Sequence, residues 1–115
     1  MSPSTARAIR SVLLCALLLA GCARQRPGPD VAAVQARCQV LIDAGNSLYR
    51  AKDYADAAKR YGAAVVVKPD DAAAYFGLGM ALAKLGRDED ARAAYARARE
   101  LAQQAREGTA GDSAR

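Results

Sequence analysis

The 115 residues include no histidine, which removes the commonest general base near neutral pH and the commonest metal ligand. Glycine-rich phosphate loops and cysteine pairs at metal spacing are also missing, and no nucleophile stands beside a plausible base. The carboxylates that remain, Asp53, Asp56 and the run Asp88-Glu89-Asp90, sit where helices open and suit a helix's positive end. The composition therefore reads as a chain that is not an enzyme and needs neither metal nor cofactor. A long apolar run is lacking too. The longest, SVLLCALLLA at residues 11–20, is half of the roughly 20 residues that a membrane-spanning helix needs. Cysteine is scarce: Cys15, Cys22 and Cys38.

What is present at the start accounts for that short run. Arg7 and Arg10 precede it with no acid among them, and small residues follow it, the order of a secretory signal. The segment then ends LAGC, Leu19-Ala20-Gly21-Cys22, which resembles the lipobox of bacterial lipoproteins at every position. That resemblance implies cleavage before Cys22, a diacylglyceryl group on its sulfur and an acylated new N-terminus. The other reading is an ordinary signal peptide cut after Ala23. One acyl chain binds a bilayer only marginally, whereas two or more anchor stably. Ala23 stands where an aspartate would typically retain a lipoprotein in the inner membrane of Gram-negative bacteria. The resemblance thus implies the outer membrane, facing the periplasm. ARQRPGP, residues 23–29, follows as a stiff tether whose reach is at most roughly 25–30 Å. Arg24 and Arg26 either add about 1 kcal/mol each at an anionic surface or serve solubility alone.

Loss of residues 1–21 takes two of the 17 basic residues and none of the 12 acidic ones, so a net charge of +5 becomes +3. Such a charge makes no case for nucleic acid. With Cys15 removed and Cys22 lipidated, Cys38 has no partner for an intramolecular disulfide and is expected to be buried.

The remainder repeats. Residues 38–71 laid over 72–105 at an offset of 34 match at Gly45/Gly79, Leu48/Leu82, Asp56/Asp90, Ala57/Ala91, Tyr61/Tyr95 and Ala64/Ala98. Around these stand Leu41, Ala44 and Pro69 in the first unit, and Tyr75 and Leu78 in the second. The pattern resembles two consecutive tetratricopeptide repeats, which implies an all-α fold of helix-turn-helix pairs forming a short solenoid. Glycines at 45 and 79 and alanines at 57, 64, 91 and 98 would let paired helices approach, with Tyr61 and Tyr95 filling the space between units. Gln103 replaces the pattern's proline, and Asp88 an aromatic. The domain is expected over residues 30–106. Its helices are expected at about 31–51, 54–67, 72–84 (closed by Gly86) and 88–106, with a disordered tail at 107–115.

The tetratricopeptide resemblance implies a protein-protein interaction scaffold whose ligands lie on a concave face. By that register the face is lined by Gln39, Ile42, Asn46 and Tyr49 and by Phe76, Met80 and Lys84. Asn46 stands where carboxylate-clamp members carry asparagine, but Ile42 replaces their basic residue, so capture of a C-terminal carboxylate is not expected. The strip Ile42–Tyr49–Phe76–Met80 suits an amphipathic helix or an extended segment, unless the chain's own ends cover it. The last helix adds a flank of Ala91, Ala94, Tyr95, Ala98, Leu101, Ala102 and Ala105, read as exposed and able to pair with another chain as a homodimer. Beside it Arg92, Arg99 and Arg106 recur every seven residues, with Arg92 expected to pair with Asp88. Together these imply a lipid-anchored adaptor or assembly factor for an envelope complex such as a pilus or secretion apparatus. The alternative is a self-associating structural envelope lipoprotein.

Overall fold

A computed structural model of the chain describes Gly28 and residues 30–114. The lipobox, Cys22 and all of the tether but Gly28 lie outside the described residues. The chain divides into Met1–Asp30 and Val31–Arg115, and the second unit carries four helices: α1 (Val31–Arg50), α2 (Tyr54–Val67), α3 (Ala72–Lys84) and α4 (Asp88–Ser113). Each packs on its successor, and α1 also reaches α3. That order, with short connections between antiparallel neighbours, is the all-α helix-turn-helix solenoid expected from the sequence.

The helix boundaries follow from local chemistry. Asp53 accepts a hydrogen bond from the Asp56 N–H at 3.3 Å, and Asp71 one from the Ala74 N–H at 3.0 Å, so each caps the helix it precedes. The ends of α1 and α3 close in the same way. At α1 the Asp53 N–H reaches Leu48 O and the Lys52 N–H reaches Tyr49 O; at α3 the Arg87 N–H reaches Leu82 O and the Gly86 N–H reaches Ala83 O. Both are Schellman closures, which need a left-handed residue. Gly86 supplies it at φ 73°, and Lys52, 34 positions earlier, at φ 61°.

The core is built on Tyr61. Its side chain is fully buried between α1 and α3, and a Cβ at Gly45 or Gly77 would come within 2.7 or 2.3 Å of its ring. Only glycine at both positions leaves room. Gly45 was expected to be small. Gly77 has no counterpart in the first unit (Asp43 stands there), so the offset comparison does not reveal it. Cys38 lies in the same cluster, wholly buried, with its thiol toward Ala64 O at 3.7 Å.

Two details differ from the sequence reading. Helix α4 does not stop near 106 but continues to Ser113, so described residues 107–113 are helix rather than a disordered tail. With no proline at 103 to end the helix, side chains support it further on. Gln103 donates to Glu107, Thr109 to Ala105 O and Ser113 to Thr109 O. Asp88 and Arg92 do not pair; Arg87 takes Asp90 instead, at 2.6 Å.

Candidate functional site

Two surfaces emerge from this packing: the face where α1 and α3 lie side by side, and the open end formed by α3 and α4. On the first, the expected strip is only partly exposed. Ile42 is 6% exposed and belongs to the core cluster. Asn46 is half-buried and its side-chain oxygen accepts the Tyr61 hydroxyl at 2.6 Å, so that oxygen is already engaged. Gln39 is exposed and donates to Asp43. Tyr49 and Lys84 are brought together through a residue the sequence reading passed over. The ring of Tyr54 meets Tyr49 edge-on at 5.2 Å, and the Lys84 ammonium stands 5.9 Å above it. Met80 is half-buried. The cluster offered there is thus aromatic and cationic.

Phe76 points to the other surface. It is 52% exposed, stacks at a tilt on Tyr95 with centroids 5.5 Å apart, and lines a cavity of about 340 Å³ with Arg92, Ala98 and Arg99. Every lining residue is the repeat equivalent of a residue packed in the core: Ile42, Ala58, Tyr61, Ala64 and Val65. The cavity is the seat that α3 fills for the first unit, left open in the second. Tyr95 is backed by Gly79, where a Cβ would come within 2.8 Å of the ring, but no described element covers its far side. Most of the expected apolar flank of α4 is not free, although Tyr95 and Ala102 are only half-buried and Ala105 is exposed. Ala91, Ala94, Ala98 and Leu101 are buried within the chain, because this is the face α4 turns to α3. What α4 leaves outward is the arginine stripe.

The repeat geometry, with glycine against tyrosine twice at a spacing of 34, agrees with comparison to known proteins: residues 42–106 match the tetratricopeptide repeat family. The chain belongs to that family. Tetratricopeptide repeats generally mediate protein–protein interaction and are typically scaffolds without enzymatic activity. No curated protein matches the chain. Among the described residues there is no grouping of side chains able to hold a metal ion, and no helix long and apolar enough to cross a membrane.

Proposed function

We propose that this tetratricopeptide protein is a lipid-anchored adaptor that holds or helps assemble a protein complex of the bacterial envelope, of pilus or secretion type. The observation that carries the reading is the LAGC motif, Leu19 to Cys22, set a short tether before a repeat domain. Acyl chains on Cys22 would fix the domain within roughly 25–30 Å of the membrane, and Ala23 points to the outer membrane, periplasmic face. The surface offered to a partner is the α1–α3 face around Tyr49, Tyr54, Met80 and Lys84. Asn46 supports it from beneath through Tyr61 rather than reaching out.

Two measurements test this. Labelling with radioactive palmitate should mark the full chain and fail to mark Cys22→Ala, which should also leave the membrane fraction; unlabelled wild type would refute the anchor. Photo-crosslinking from position 80 should give one discrete heterologous adduct. Its loss on Lys84→Glu would place the partner on this face, whereas a ladder of unrelated adducts would argue against a specific partner.

A further inference from the structure

The open seat beside Tyr95 carries its own specification, because the chain shows what fills the equivalent seat. In the first unit α3 brings Ala74, Gly77 and Ala81, all buried, to the surface formed by Ala58, Tyr61 and Val65. Antiparallel helices advance 1.5 Å per residue in opposite directions. The register that sets Gly77 against Tyr61 therefore brings Ala74 within a residue of Val65 and Ala81 within a residue of Ala58. In the second unit Tyr95 and Ala98 keep the floor, but Ala58 and Val65 are replaced by Arg92 and Arg99. Both arginines are exposed and, among the described residues, neither makes an ion pair, whereas Arg87 and Arg97 on the same stretch of chain do.

Charge and shape together eliminate this chain's own helices. A second copy stacking in repeat register would present Val40, Asp43 and Ser47 of α1, and Asp43 falls where even a Cβ meets the tyrosine ring at 2.3 Å in the first unit. A second copy pairing through α4 would set the stripe Arg92–Arg99–Arg106 against itself. Residues 1–29 contain four arginines and no acid. The acids Glu107 and Asp112 lie beyond the seat on the continuous helix α4 and are carried away from it.

We infer that the seat formed by Phe76, Arg92, Tyr95, Ala98 and Arg99 docks a helix of another protein with the pattern acid-x2-Gly-x3-acid. The glycine lies on Tyr95 as Gly77 lies on Tyr61. The two acids, seven residues apart and on one face, meet Arg99 and Arg92. The docked helix would complete the array in trans as the first helix of a third unit. This surface is separate from the α1–α3 face, and its test is independent of the adaptor reading.

The probe is a fluorescently labelled peptide with the α3 sequence, residues 72–84, stapled on its far side and carrying Ala74→Glu and Ala81→Glu. Its control carries lysine at both positions. The full chain should bind the glutamate peptide at least about tenfold more tightly than the lysine peptide, with affinity falling as salt rises. Arg92→Glu with Arg99→Glu should reverse that preference, while Asn46→Ala and Lys84→Glu should leave it unchanged. Equal binding of the two peptides, no binding of either, or indifference to the arginine reversal would overturn the proposal. So would a crosslink from the seat to residues 107–112 of the same chain, which would mean that α4 breaks and covers the seat itself.

Discussion

Three residues at the centre show how little freedom this small core has. Tyr61 is held from both sides by the absence of a Cβ, at Gly45 and at Gly77. Gly77→Ala is therefore expected to destabilise by about 1–3 kcal/mol, the usual cost of overpacking. Gly62→Ala, whose Cβ meets nothing within 4 Å in mid-helix, should stabilise by about 0.5–1 kcal/mol. Urea denaturation of the pair checks both, and equal effects would refute the account of the core. The same burial pushes the Tyr61 hydroxyl above the ordinary tyrosine value, with nearby Tyr49 adding to the shift. A group whose pKa is raised on folding contributes stability that is complete below its unfolded value, about 10 for tyrosine, and is lost as pH rises through the folded value. Stability should thus decline above about pH 10, and Tyr61→Phe, at a cost of about 1 kcal/mol at neutral pH, should flatten that decline. Burial likewise raises the Cys38 thiol, with Asp71 contributing next. Protonated and enclosed, it should resist alkylation until the domain unfolds, as peptide mapping after iodoacetamide would show.

At the scale of elements, what was legible in the sequence depended on whether the cause was local. Asp53, Asp71, Pro69 and Gly86 mark boundaries through hydrogen bonds or φ preferences within a few residues, and the first three helices lie within a residue or two of expectation. Helix α4 runs past its expected end because Gln103, Thr109 and Ser113 each bond to a residue four positions away, support that no cap or turn residue announces. Among the residues expected on the α1–α3 face, Tyr49 and Met80 are half-buried and Lys84 is exposed. Ile42, expected beside them, packs in the core cluster instead, a tertiary outcome that its place in the sequence does not announce. Lys52 gave no signal at all: a non-glycine residue in the left-handed region looks like any surface lysine. It also offers a test. Left-handed backbone costs an ordinary side chain roughly 1 kcal/mol that glycine escapes, and Gly86 already fills the same role one repeat later. Lys52→Gly is expected to raise stability by about 0.5–1 kcal/mol in thermal or urea melts. A loss of stability would mean that the turn is held by the lysine side chain rather than by the closure.

Across the whole molecule, the two ends of the array are unlike, and the difference lies in three residues. In the first unit Ala58 and Val65 accept a helix; at the open end their equivalents Arg92 and Arg99 refuse an apolar one. At the entry, α1 shows solvent the positions through which α3 packs, with Val40 67% exposed and Asp43 in place of glycine. A repeat array that presented matching apolar ends would stack head to tail without closing, the geometry that makes filaments. Asp43 and the two arginines oppose this from both sides, by a Cβ where none fits and by charge where a dry contact is needed. Removing the obstruction should release the stacking. Arg92→Ala with Arg99→Val alone enlarges the exposed apolar surface around Phe76 and Tyr95 and should cause weak, concentration-dependent association. Adding Asp43→Gly should convert that into a ladder of discrete oligomers in sedimentation velocity, growing with concentration, whereas Asp43→Gly alone should leave the parent state unchanged. If the triple variant sediments like the parent, the open end is kept free by something other than these residues, and the repeat register would not describe what fits there.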